Sequence, residues 1–196
     1  MSRRGRAGRS RRPGGDRRGG RPADDGPQAQ PSDPESVARL ICLRLLTFAP
    51  RTRAQLAEAL AKRGVPPDAA SSVLDRFDEV GIIDDVAFSR AWVTSRHSGR
   101  GLAGRALGQE LRHRGVDPEV VAEAVAELDP RDERETAARL VRRRARQLTG
   151  VAPEVATRRL LGLLARKGYS AGVAYPIVRA ELAALRAPVP DDEMPG

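Results

Sequence analysis

The chain has 196 residues and carries 35 bases against 26 acids, a net charge of +9. That base excess favours a polyanionic partner such as nucleic acid, while only 3% aromatic residues argues against a base-stacking platform. A single cysteine, Cys42, excludes an internal disulfide framework, and no stretch reaches the roughly 18 apolar residues of a membrane span, so the cytosol is the expected compartment.

Residues 1–34 hold nine Arg, several Gly and Pro, and no Leu, Ile or Phe. Such a segment buries too little apolar surface to offset chain entropy and is expected to be disordered. Its charge of +5 (nine Arg against Asp16, Asp24, Asp25 and Asp33) suits either an arm on a phosphate backbone or a solubilising extension. No apolar run follows its arginines, so it does not read as a secretory signal.

A first three-helix unit is expected over 35–84. Asp33-Pro34-Glu35 supplies an N-cap and a proline at N1, and Val37, Leu40, Ile41, Leu45 and Leu46 follow at helical spacing until Pro50. Thr52-Arg53-Ala54-Gln55 is a capping box. The helix it opens carries Leu56 and Leu60 and stops at Gly64. A third helix, from about Pro67 to Val80, turns Val73, Leu74 and Phe77 inward and ends at Gly81.

The second unit, 85–128, opens at Asp84-Asp85, where both aspartates are expected to cap a helix bearing Phe88 and Trp92, four apart and on one face. A Gly-containing loop at 98–101 leads to the helix of Leu107 and Leu111. Gly115 ends that helix, and Asp117-Pro118 starts the next. The third unit, 129–187, opens at Asp129-Pro130 with a long helix to Leu148, followed by helices near 153–167 and 170–186. Pro176 lies two turns into the last of these, where it removes a backbone hydrogen bond and crowds the preceding turn. A kink there, or a helix beginning only near Tyr175, is expected. Residues 188–196 form an acidic, Pro-rich tail.

One hexapeptide is written three times: LAKRGV at Leu60–Val65, LRHRGV at Leu111–Val116 and LARKGY at Leu164–Tyr169. The leucine belongs to an apolar stripe, and the glycine takes the left-handed conformation that ends a helix. The base before it (Arg63, Arg114 or Lys167) complements the negative end of the helix dipole. Three copies with Gly64, Gly115 and Gly168 spaced 51 and 53 residues apart mark internal repetition. No period-two pattern stands out. The fold class is all-α: three tandem three-helix repeats in an elongated curved array.

Catalytic signatures are absent. No glycine-rich stretch follows a strand to cradle phosphate, His97 and His113 have no ligand-spaced neighbours, and Cys42 lies in an apolar run. No enzyme activity, cofactor or metal is expected. What remains is basic surface. Arg139, Arg142, Arg143 and Arg146 form one stripe on the long helix, opposite Ala138, Val141, Ala145 and Leu148. Arg144, on the border of the core face, is expected to snorkel or find a carboxylate. Arg105, Gln109 and Arg112 form a polar face opposite Leu107 and Leu111, with Arg96 and Arg100 just upstream. These arginines are the candidate contacts to a partner or to DNA, against the alternative that they are solvated helix faces.

The segment Ile83-Asp84-Asp85-Val86-Ala87-Phe88 with Trp92-Val93 and Arg96, followed by Arg100-Gly101, Leu107, Glu110-Leu111 and Arg114-Gly115-Val116, resembles bacterial RecX regulatory proteins over about residues 35–187. The Arg-rich start is not part of the common pattern. The resemblance implies a non-catalytic modulator of the RecA recombinase, a monomer that lodges on the RecA–DNA filament. It would restrain filament growth, strand exchange and ATP hydrolysis, and contact single- and double-stranded DNA weakly through its basic faces. Two other readings stand beside it. One is a standalone helix–turn–helix regulator, which needs one recognition helix reading base edges; the other is a protein-docking helical repeat without DNA contact.

Overall fold

In a computed structural model, residues 33–185 are described. They hold nine α-helices, one 3-10 turn and no strand. The expectations for the tails fall outside those residues, except that Asp33 and Pro34 already belong to the first helix. The helices are α1 Pro34–Phe48, α2 Arg53–Ala61, α3 Pro67–Glu79, α4 Asp85–Arg100, α5 Gly104–His113, α6 Pro118–Ala126, α7 Pro130–Ala145, α8 Pro153–Arg166 and α9 Ala171–Ala184. None is long and apolar enough to cross a membrane.

Each consecutive trio packs around its own core. Cys42, Leu56, Leu60, Leu74 and Phe77 centre the first, Val93, Leu107, Leu111 and Val121 the second, and Val141, Leu160, Leu164 and Val178 the third. The leucine pairs 56/60, 107/111 and 160/164 are all fully buried. At about 2 kcal/mol per buried leucine, those stripes are what commits each middle helix to its unit.

The three glycine turns are built alike. Gly64, Gly115 and Gly168 have φ of 72°, 76° and 92°. The residue after each (Val65, Val116 and Tyr169) donates its N–H to the Leu60, Leu111 and Leu164 carbonyls at 3.2, 3.3 and 3.1 Å, closing the helix end as a Schellman motif.

Contact between units follows a rule of its own. The N-terminus of each middle helix docks onto the next unit. Thr52, at the N-cap of α2, donates its hydroxyl to the Arg114 carbonyl at 2.7 Å, and the Arg53 N–H reaches Asp85 Oδ1 at 2.9 Å. One unit further on, Ala103 N–H donates to the Lys167 carbonyl at 2.9 Å, and Gly104 N–H to Glu133 Oε1 at 2.7 Å. The bare Cα of the following glycine then faces an alanine in the first helical turn: Gly115 faces Ala54, and Gly168 faces Ala106. At α8 the matching positions are Ala152, Pro153, Glu154 and Val155. Proline at N1 has no N–H to offer a further unit, and the small first-turn residue is gone.

Some expectations are corrected. The long third-unit helix stops as α-helix at Ala145 and continues to Leu148 as a 3-10 turn, and its buried line includes Thr136 and Ala137 where Ala138 is only half-buried. Only Asp84 caps α4, through the Ala87 N–H at 2.8 Å, because Asp85 is drawn to the unit before it. α9 begins at Ala171, with Ala174 N–H bonded to the Ser170 carbonyl at 2.9 Å, which rules out a start near Tyr175. Pro176 sits inside the helix and leaves the Gly172 carbonyl without its i+4 donor. Arg144 meets the Gln147 amide rather than a carboxylate.

Candidate functional site

A concavity of about 940 Å³ draws on all three units. α4 contributes Trp92, Arg96 and Arg100, at i, i+4 and i+8 on one face. α5 contributes Ala106, Gln109, Glu110 and His113, and Arg114 follows at its end. α2 adds Gln55 and Glu58, and α8 adds Arg166. The groove exists because the glycine turns place the end of one middle helix beside the start of the one before.

Trp92 is its centre. Its ring stacks on Phe88 at 5.7 Å between centroids, and its Nε1–H donates to Glu110 Oε2 at 3.0 Å. The guanidinium carbons of Arg96 and Arg114 lie 4.1 and 3.7 Å from the same centroid. Cation–π attraction of about 0.5–2 kcal/mol each holds these two bases in a half-buried position. Counter-charge is short. Glu110 stands 4.0 Å from Arg96 Nε and 3.7 Å from Arg100 Nη1, beyond hydrogen-bonding distance, and Arg114 has no carboxylate partner among the described residues. Burial, then Arg96, with a smaller push from Arg51, lower the Arg114 guanidinium from its ordinary range against the pull of Glu110. The buried Arg51 Nε has no hydrogen-bond partner in this structure. An anion entering here would meet donors already gathered and partly desolvated, conditions that strengthen charge-assisted hydrogen bonds.

A second cleft of about 450 Å³ opens between the second and third units, bounded by Arg100, Thr136, Arg139, Arg143 and Lys167 with the backbone of residues 99–101. No carboxylate lines it. Arg100 belongs to both concavities. Nearby, His97 ties the two units: Nδ1 lies 2.9 Å from the Leu102 carbonyl and Nε2 lies 3.0 Å from Thr136 Oγ1, so this buried histidine is structural.

The arginines singled out by helical spacing are therefore dispersed. Arg96 and Arg100 share the groove, while Arg100, Arg139 and Arg143 share the cleft. Arg142 is engaged elsewhere: its Nε and Nη2 hold Glu181 on α9 at 2.9 and 2.7 Å, so it is not a free member of a stripe. Arg105 lines a separate small cavity with Glu133, Arg146 borders one with Leu148 and Leu185, and Arg112 lines neither the groove nor the cleft. Arg114, Arg166, Lys167 and Glu110 were missed. The helix dipole accounts for only part of Arg114 and Lys167: they do end their helices, but Arg114 also stacks on Trp92, and Lys167 Nζ donates to the Arg100 carbonyl at 2.7 Å. Phe88 and Trp92 share a face as expected, and Trp92 is part of the site as well as the scaffold.

Comparison with known proteins places this geometry. A family signature described as "RecX, first three-helix domain" matches residues 38–77, and "RecX, second three-helix domain" matches 84–125. The regulatory protein RecX of Thermobifida fusca is 58% identical over 165 residues, covering 84% of this chain and 89% of that one. Those of Streptomyces coelicolor and Mycolicibacterium smegmatis are 57% identical over 152 residues (78% and 81% covered) and 52% over 165 (81% and 87%). Among solved structures, RecX from Lactobacillus salivarius superposes with a TM-score of 0.71 at 16% identity, covering 77% of this chain and 98% of that one. At that identity the likeness speaks to the fold.

Proposed function

The chain belongs to the RecX family of regulatory proteins, and from that premise we propose that it restrains the RecA recombinase by binding the RecA–DNA filament. It acts as a cytosolic monomer without catalysis of its own. Lodged in the filament groove or at its end, it slows filament growth, strand exchange and ATP hydrolysis, and so moderates recombination, DNA repair and the SOS response.

The observation that carries this reading is the arginine–tryptophan groove, with its guanidiniums short of counter-charge. A filament presents both acidic protein surface and DNA phosphate, and a groove built from three units can meet an extended partner in a way one helix cannot. The same geometry disfavours a standalone regulator. Base readout needs several polar side chains projecting from one recognition helix, whereas these arginines come from α4, α8 and the turn after α5.

The test adds the protein at substoichiometric levels to RecA on single-stranded DNA while ATPase rate and filament length are followed. Both should fall, and Arg114→Glu should lose most of the effect, since it places a carboxylate against Trp92 and Glu110. No change in either readout with the unaltered chain would overturn the reading.

A further inference from the structure

We propose that the cleft between the second and third units is a phosphate site that takes the backbone of a nucleic-acid strand, separate from the Trp92 groove. The proposal deepens the reading above by giving the DNA contact its own place, and it rests on that reading only in its choice of polyanion.

The cleft is made by two helices that meet at a glycine. α4 ends at Arg100, and Gly101 turns left-handed at φ 63° with its N–H on the His97 carbonyl at 2.9 Å. A side chain at Gly101 would strike Leu140 Cδ1 at 2.9 Å, so the backbone of the second unit lies close against α7. α7 brings Thr136, Arg139 and Arg143 to the opposite wall at i, i+3 and i+7, and Lys167 closes the end of α8.

Three cations, Arg139, Arg143 and Lys167, thus face one space that no carboxylate lines, while the Arg100 guanidinium lies toward Glu110 in the groove. Two are held in place before any ligand arrives: Arg139 Nη2 donates to Thr136 Oγ1 at 2.7 Å, and Lys167 Nζ donates to the Arg100 carbonyl at 2.7 Å. Arg143 is exposed and has no partner among the described residues. Both remaining nitrogen forks, on Arg139 and Arg143, suit tetrahedral phosphate oxygens. The chemistry is that of sequence-independent backbone contact, which positions a strand and reads no base.

A polymer fits better than a lone phosphate because the cations continue. Arg100 lies in the cleft and in the groove, and Arg96, Arg114 and Arg166 extend beyond it. An acidic peptide would want apolar contacts that this cleft supplies only at Leu140. Because residues 98–101 of the second unit form the other wall, bound phosphate would also tie the second unit to the third.

The experiment uses the full chain without RecA, so that its outcome is independent of filament inhibition. Anisotropy of a labelled oligo-dT is followed against salt for the unaltered chain and for Arg143→Ala, a substitution at an exposed, unbonded side chain that leaves both cores intact. The variant should bind about tenfold more weakly, the size of one charge-assisted hydrogen bond, and its log–log salt slope should be shallower by about one contact. A parallel titration with pyrophosphate, followed by thermal midpoint at matched ionic strength, should stabilise the unaltered chain and have less effect on the variant. Unchanged affinity and slope in Arg143→Ala would overturn the site. So would competition by poly-Glu as effective as by unlabelled oligo-dT, or dependence on Arg143 for pyrophosphate but not for the oligonucleotide.

Discussion

The repeat glycines offer a test that separates two roles the same residue plays. Alanine at Gly64 would pay only for the left-handed conformation (φ 72°), because a Cβ there meets nothing within 4 Å; that costs about 1–2 kcal/mol. At Gly168 (φ 92°) the added Cβ would also lie 2.6 Å from Ala106 Cβ and 2.7 Å from the Ala106 backbone nitrogen. No rotamer relieves a clash with backbone. The first turn of α5 must move, straining the Ala103–Lys167 and Gly104–Glu133 hydrogen bonds that join the units. Overpacking of that kind adds about 1–3 kcal/mol, so Gly168→Ala should lose about 2–5 kcal/mol against about 1–2 for Gly64→Ala. Urea denaturation of both variants supplies the comparison, and hydrogen exchange should place the extra loss at the start of α5. Adding Ala106→Gly to Gly168→Ala should restore part of the stability, since it removes the Cβ contact and leaves the backbone one. Equal losses at Gly64 and Gly168 would show that the glycines only end helices and that the junction is not built on them.

Three further outcomes follow from the same contacts. Glu133→Ala should expose the Gly104 N–H of a helix that has no side-chain cap of its own, at about 1–3 kcal/mol, seen as faster exchange in the first turn of α5. The Arg142 hydrogen bonds hold the Glu181 carboxyl below its ordinary 4.5. The pair's stabilisation is therefore present above that pH and lost as pH falls through the lowered value. Glu181→Gln should remove about 0.5–1 kcal/mol at neutral pH, discounted because Arg142 is half-exposed, and should flatten that acid limb. Burial, with Glu133 nearby, pushes the Tyr169 hydroxyl up to about 12. The fold favours its neutral form, so stability is retained below the ordinary value of 10 and declines between there and 12. Absorbance titration should show a late tyrosine step that Tyr169→Phe abolishes.

The helices and their ends were largely legible because they are local. The Thr52–Gln55 box forms both of its hydrogen bonds, and Asp33, Asp84, Asp117 and Asp129 each cap the helix they precede. The leucine pairs at i and i+4 are buried in all three units. The junctions were not legible, because they join residues about sixty apart: Thr52 finds Arg114, and Ala103 finds Lys167. Asp85 shows how local reading fails. By position it looks like part of its own helix cap, yet its carboxylate serves the first N–H of α2, and burial pushes that carboxyl up from its ordinary value while the Arg53 hydrogen bond opposes the shift.

The basic residues divide along the same line. Helical spacing groups arginines that project from one helix, and so joined Arg142 to Arg139 and Arg143. It has no means of knowing that α9 would bring Glu181 beneath Arg142 alone. Conversely, Arg96, Arg114 and Arg166 come from different elements and share no period, yet the docking of each middle helix on the next glycine turn brings them to one groove. A base preceding a repeat glycine sits at the negative end of its own helix and at the seam with the previous unit. Where no three-helix unit precedes among the described residues, as at Arg63, the guanidinium bonds its own helix through the Ala59 carbonyl at 2.8 Å. Where one does, as at Arg114, the same position faces a neighbour's surface. The repeat thus turns a helix-ending base into a groove base by adjacency, through the Thr52 contact to the Arg114 carbonyl, while the stacking of Arg114 on Trp92 comes from within its own unit.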